Sequence, residues 1–320
     1  MVFHQPRTVF YHYPCLDGAV AAWAVHKYYG QDAQYVGLDH ADHETIEQTI
    51  LQNVTPETIV MFVDFAPHRQ VLETIIDQVK GIEIYDHHIS AQKDLALYHD
   101  HPKCKILFDM TRSGAGIAFD VFAQAKRPLF VQLVEQLDLY QPEKFSSLDQ
   151  FFLIASFLGD IDVERPLEQL IPDIDTLCQA EDIAYFEKAG EVPRRQHLEK
   201  IDEVIDEIGF IDLSSLETAP ELTKVPIVHA DMYTLGHEFM PRLMEECPHE
   251  SKVGIVWSYH ENETVKFSLR SDRTVDVSLI AGEIGREYGQ NGGGHVGAAA
   301  VRFSLEQFRE FARVAGLYLK

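Results

Sequence analysis

From Thr8 to Phe108 the chain alternates short apolar, β-branched or aromatic runs with stretches of helical spacing, and this alternation constrains the fold more than any other feature. Thr8–Tyr13, Ala33–Leu38, Thr58–Val63, Ile82–Tyr85 and Lys105–Phe108 read as strands. Helical spacing covers Gly18–Tyr29, closed by Gly30, and falls again around Arg69–Val79 and Ala115–Gln124. Strands separated by helices pair in parallel through crossovers, so a five-strand, doubly wound α/β domain is expected.

From Leu129 to about Gly209 the pattern is helical, and Glu187–Glu207 is strongly charged with few large apolar residues, as a solvated connector would be. Beyond it come strand, helix, two strands, helix, strand and helix over Val225–His229, Leu235–Glu246, Lys252–Tyr259, Thr264–Arg270, Val277–Tyr288, Ala298–Phe303 and Leu305–Leu317. A chain of 320 residues with 46% hydrophobic content can bury two cores. The expected organisation is a parallel α/β domain over 1–185, a helical linker over 186–222 and a smaller mixed α/β domain over 223–320.

Charge narrows the partners. Against 27 basic side chains stand 51 acidic ones, a formal charge of −24 that repels long polyanions and argues against a duplex-binding surface. A small anion can still enter a locally basic pocket. Cys15, Cys104, Cys178 and Cys247 form no CxxC pair, which fits a reducing compartment. Met1–Pro14 lacks the apolar core of a signal peptide, and the longest apolar stretch, Phe151–Gly159, is too short to span a bilayer. A cytoplasmic protein without membrane partners is the expectation.

Three expected strands end in residues that ligate metals: His12, Cys15 and Asp17 follow the first, Asp64 the third, and Asp86, His87 and His88 the fourth. Ligands of open α/β sheets gather at the carboxyl ends of strands. A lone Asp there is more often a turn or helix-capping residue, but three such ends together favour a site. Carboxylates and imidazoles are the donors a pair of divalent ions requires. Two ions roughly 3.5–4 Å apart can share and deprotonate a water for in-line attack on phosphorus.

These residues resemble the DHH phosphoesterases, a family named for the Asp-His-His found here as Asp86-His87-His88. The stretch from Tyr11 to Trp23, with His12, Cys15, Asp17 and Gly18, resembles the family's first motif in its His-x-x-Cys-x-Asp-Gly form, and Val63-Asp64 its second. Arg112-Ser113-Gly114-Ala115-Gly116 is similar to its Ser-Gly-Ala helix start, and Val134–Tyr140 to its fourth, aspartate-bearing motif. Phe267–Ser271, Val275–Ser278 and Gly292-Gly293-Gly294-His295 resemble the DHH-associated substrate-binding domain.

The resemblance implies a metal-dependent phosphoesterase that uses a metal-bridging hydroxide. His12, Cys15 and Asp64 would hold one ion, and Asp17, Asp64, His87 and Asp138 the other, with Asp64 shared. His88 would contact phosphate or donate a proton, with Asp86 orienting the histidines. Arg112, Arg270, Ser271, Gly292, Gly293, Gly294 and His295 would bind substrate. Two divalent ions are expected, manganese first, with magnesium, cobalt or zinc as the others. Short single-stranded oligonucleotides or small nucleotides are the expected substrates, ahead of cyclic dinucleotides, phosphoadenosine phosphate or polyphosphate. The enzyme would be a monomer or homodimer.

Some positions stay open. Cys15 stands where most of that family has an aspartate: it is either a soft ligand, favouring zinc, cobalt or iron, or a small buried residue. Asp138 is the weakest of the ligand assignments, because Gln136 and Tyr140 depart from the motif around it. Asp160 and Asp162 form a rival carboxylate pair, better read as a helix-end turn, and His40, Asp42 and His43 are better read as loop residues than as cleft lining. A catalytically weak nucleotide-binding regulator is the alternative of another class. A dinucleotide oxidoreductase is disfavoured because no G-x-G-x-x-G follows the first strand.

Overall fold

The N-terminal half runs β1 (Arg7–His12), α1 (Leu16–Tyr29), β2 (Ala33–Leu38), α2 (His43–Gln52), β3 (Ile59–Val63), α3 (Arg69–Ile75), β4 (Gly81–Asp86), α4 (Ile89–Asp94), β5 (Cys104–Phe108) and α5 (Gly114–Phe122). The five strands pair in parallel in the order β2-β1-β3-β4-β5. The structure is a computed structural model that describes residues 6–39, 43–123, 125–230, 235, 237–246, 251–260, 264–289 and 291–317. The chain divides into two units, Met1–Ala189 and Gly190–Lys320.

Period-2 side-chain alternation explains why the central strands are apolar throughout. Val9, Tyr11, Met61 and Val63 enter one core, with α1, α5 and the helices α6 (Leu129–Asp138), α7 (Leu148–Gly159) and α8 (Leu167–Leu177). Phe10, Val60, Phe62, Ile82 and Ile84 enter a second core, against α2 and α3. Fully burying each such side chain contributes roughly 1.5–3 kcal/mol. The chain leaves this unit along α9 (Ile183–Ile205).

The second unit carries β6 (Gly209–Ile211), β7 (Val225–His229), α10 (Phe239–Glu246), β8 (Val253–His260), β9 (Thr264–Ser271), α11 (Val277–Glu287), β10 (Asn291–His295), β11 (Ala298–Ser304) and α12 (Leu305–Val314). Its sheet order is β10-β11-β9-β8-β7-β6, antiparallel except between β7 and β8. One core joins Ile227, Ile255, Phe267, Leu269 and Phe303 to α11 and α12, and another gathers Val228, Val256, Phe239 and Leu243 with Ile201 of α9. A reciprocal capping box of Ser304 and Gln307 starts α12.

The parallel N-terminal sheet and mixed C-terminal sheet are the α/β architecture expected from the sequence. Four elements go beyond that reading, the short helix α4 among them. The helix α2 and the three-residue β6 lay in stretches given no such element, and the glycine run Gly292–Gly294 forms the strand β10 instead of a loop. The stretch expected as a linker comprises most of α9 together with β6. Among the described residues no helix is long and apolar enough to cross a membrane.

Candidate metal centre

In the order β2-β1-β3-β4-β5 the winding reverses between β1 and β3, and the crevice above their carboxyl ends is where such sheets place ligands. His12 ends β1, Asp64 directly follows β3, Asp86 ends β4, and His87 and His88 follow it. Cys15 occupies the position capping α1, and Asp17 lies in its first turn. Asp138 reaches the same place from the last residue of α6.

Three overlapping donor clusters result, one of them made by Asp64, Asp86, His87 and His88. One ligand atom each from His12, Cys15 and Asp64 lies within 4.8 Å of the others, and the same holds for Asp17, His87 and Asp138. Asp64 stands between them: its Oδ2 is 3.4 Å from His12 Nδ1 and its Oδ1 3.2 Å from His87 Nε2. His87 Nε2 is in turn 3.5 Å from Asp138 Oδ2. Asp17, Asp64 and His87 are buried, whereas the Asp138 side chain is 26% exposed at the rim.

Asp64 has φ 52°, a left-handed conformation uncommon for any residue but Gly, Asn or Asp. Strain of this kind collects at functional sites. The start of α5 packs directly on this side chain: a methyl group at Gly114 would collide with the Asp64 carboxylate. Ser113, which caps α5, donates its hydroxyl to Asp17 Oδ1 at 2.6 Å, and the Ala115 amide donates to the same oxygen at 3.1 Å. The other oxygen, Asp17 Oδ2, is buried and accepts no hydrogen bond from any described residue.

The electrostatics ask for cations. Burial, then the charges of Asp64 and Asp138, hold the Asp17 carboxyl well above the usual range. Burial and Asp64 raise Asp138 against the pull of His87. Burial, Asp64 and Asp17 push the Cys15 thiol well up. Burial opposes the charged forms of Asp64 and His87, yet hydrogen bonding prevails: Asp64, bonded to His12 and to His87, falls well below the usual range, and His87, bonded to Asp64 and helped by Asp138, is pushed up to about 11. A buried oxygen left over, three convergent carboxylates, two imidazoles and a thiol are a donor set that fits two divalent ions.

Beside this set, Asp86 Oδ1 lies 2.7 Å from His88 Nδ1 and accepts the His87 amide at 2.8 Å. Asp86 thus holds the His88 ring through Nδ1. Arg112 is ion-paired to Asp109 at 2.7 Å and Asp120 at 3.0 Å, so its guanidinium ties the end of β5 to α5.

In the second unit, Ala298 pairs with His295 on one side and Arg270 on the other, which sets those two side chains on one face at one level of the sheet. The Ser271 hydroxyl donates to the Val275 carbonyl at 2.7 Å and turns the chain towards α11. Gly292 packs on α11, where a methyl group would strike the Ala281 carbonyl, and Gly294 has φ 146°. Gly293 has open space around its Cβ direction.

The rival candidates behave as turns and packing residues. Asp160 caps the end of α7, and Asp162 accepts the Glu164 amide and pairs with Arg165 at 3.7 Å. His43 begins α2 with its ring 4.1 Å from that of His68. His40 and Asp42 lie outside the described residues. Sequence reasoning missed the tie from Ser113 to Asp17. Its one signal is a capping serine ahead of the small residues Gly114-Ala115-Gly116.

Residues 240–320 match the model of the DHHA1 domain, and this match supports the DHH phosphoesterase family. No curated protein matches. Among solved structures, an uncharacterized protein from Helicobacter pylori G27 is 14% identical over 97% of this chain and 98% of that chain, with TM-score 0.33. CDC45 from Entamoeba histolytica is 10% identical over 97% of this chain and 94% of that chain, with TM-score 0.49. Scores this low carry no argument about fold or chemistry.

Proposed function

We propose that the chain is a divalent-metal-dependent phosphoesterase acting on phosphoester bonds of short oligonucleotides or small nucleotides. The observation that carries this reading is the pair of donor clusters meeting at Asp64, with His12 at 3.4 Å on one side and His87 at 3.2 Å on the other. On this reading His12, Cys15 and Asp64 hold one ion, and Asp17, Asp64, His87 and Asp138 the other. Bound divalent ions supply Lewis acidity towards phosphoryl oxygens and lower the pKa of the attacking water.

The remaining work falls to side chains. Asp86 fixes His88 through Nδ1 and directs the opposite ring nitrogen to the leaving-group oxygen, where it delivers a proton. Arg270 offers a planar fork for a phosphate, with His295 on the same sheet face. Short substrates fit a chain of formal charge −24 better than long polyanions do. Manganese is the first ion to try, with zinc or cobalt favoured if Cys15 ligates. The free thiols Cys15, Cys104 and Cys178 suit a reducing cytoplasm.

The test is metal-dependent hydrolysis of a short oligoribonucleotide, 3′-phosphoadenosine 5′-phosphate, a cyclic dinucleotide and pyrophosphate, with bound metal quantified on the same sample. Turnover with about two ions per chain supports the proposal. So does loss of turnover in Asp64→Ala with the fold retained. An inactive, metal-free protein that still binds a nucleotide would overturn it in favour of a regulatory binding protein.

A further inference from the structure

A cavity of about 310 Å³ opens on the N-terminal sheet where α1 and α5 finish and β1 begins, at the edge opposite the strand ends that carry the ligand set. Four aromatic rings line it. Tyr28 meets Tyr29 at 4.7 Å with an 80° angle, and Tyr85 meets Phe122 at 5.3 Å with a 77° angle. Phe122 is tilted against Tyr28 and Tyr29 as well, at 55° and 58°. Tyr85 and Phe122 are buried in the core and cations lie over the faces of Tyr29 and Tyr85, so the exposed Tyr28 ring is the one open to a further planar group.

The polar lining is cationic on balance. The Arg7 guanidinium lies 4.6 Å from the Tyr29 ring centre and 3.2 Å from Glu83 Oε1. Lys105 Nζ donates to the Tyr85 hydroxyl at 2.7 Å and lies 3.6 Å from Glu83 Oε2. Two cations thus face one carboxylate, in a chain whose overall charge is −24. Lys105 is 67% exposed and Tyr28 60% exposed, so both are accessible to an incoming ligand.

We propose that this cavity is a second binding site, for a planar aromatic anion of the nucleoside monophosphate class, with the base against Tyr28 and the phosphate on Lys105 and Arg7. Stacking on aromatic rings tolerates any base, because every base has a π face. Ligand pockets run from about 300 to 1,000 Å³, and the lower end of that range suits one nucleoside better than a dinucleotide. None of the cavity's residues belongs to the proposed metal centre, so binding here requires no metal.

The experiment is calorimetric titration of adenosine 5′-monophosphate into full-length protein with divalent ions chelated, and into Asp64→Ala. Binding is expected in both, and Tyr28→Ala and Lys105→Ala should each weaken it at least tenfold while melting as the parent does. Both side chains are largely exposed, so neither substitution opens a core. Absence of binding in chelated protein, or affinity unmoved by both substitutions, would overturn the proposal. Chelation and Asp64→Ala disable the proposed phosphoesterase centre, so that reading and this one fail separately.

Discussion

The Ser113 hydroxyl donates to Asp17 Oδ1 at 2.6 Å while also accepting the Gly116 amide at 3.3 Å, so one side chain caps a helix and aims a buried carboxylate. Ser113→Ala removes both. Loss of a helix cap costs about 1 kcal/mol. Loss of an outer partner of a metal ligand typically costs 10–100-fold in metal affinity. The expected result is a modest fall in melting temperature with a disproportionate fall in metal affinity. Ser113→Thr should restore both, which a helix-stability effect alone would not require of metal binding.

Gly114 tests the geometry of Asp64. A methyl group there collides with the Asp64 side chain, and neither the α5 backbone nor Asp64, held at φ 52°, can move freely. Overpacking of this kind costs roughly 1–3 kcal/mol. Gly114→Ala should therefore lower stability and lose metal binding together, read by denaturant unfolding and by metal content. A variant that unfolds at the parent's midpoint with full metal content would contradict the packing described.

Glu283 of α11 is buried and takes the amides of Glu217 and Thr218 at 2.7 and 2.8 Å and the Thr218 hydroxyl at 2.5 Å. Burial opposes its charge, but these donors prevail and hold the carboxyl below its usual range. A folded pKa below the unfolded value contributes stability that is present above about pH 4.3 and lost as pH falls through the folded pKa. Glu283→Ala leaves two amides without their acceptor and should cost about 2–3 kcal/mol at pH 7. The difference from the parent should shrink on acidification below pH 4, as followed by unfolding at both pH values.

Much of this was legible in the chain because it is local. Phe10 and Phe62 belong to strands whose middles are apolar on both faces, and that pattern calls for a parallel sheet covered by helices on both sides. The donor residue types at the ends of β1, β3 and β4 were likewise visible, since a sheet's winding decides where strand ends converge. The contact of Ser113 with Asp17 spans 96 positions, and the backbone of Asp64 and the packing of Gly114 on it depend on how α5 returns to the sheet. No local pattern encodes those. The strand β6 has only three residues, and β10 hid behind glycines, which are poor strand formers.

The glycines of β10 allow fold and ligand binding to be separated. A methyl group at Gly292 would strike the Ala281 carbonyl of α11, a backbone atom that cannot swing aside, so Gly292→Ala should destabilise the C-terminal unit by several kcal/mol. One residue on, a methyl group at Gly293 meets nothing within 4 Å, so Gly293→Ala should melt within about 1 kcal/mol of the parent. If the glycines of this strand bind substrate as the family resemblance implies, with their amides close to a phosphate, that methyl group obstructs the approach and raises KM several-fold while leaving metal content unchanged. A Gly293→Ala protein with the parent's melting curve and the parent's KM would remove β10 from the substrate site and leave its glycines explained by packing on α11 alone.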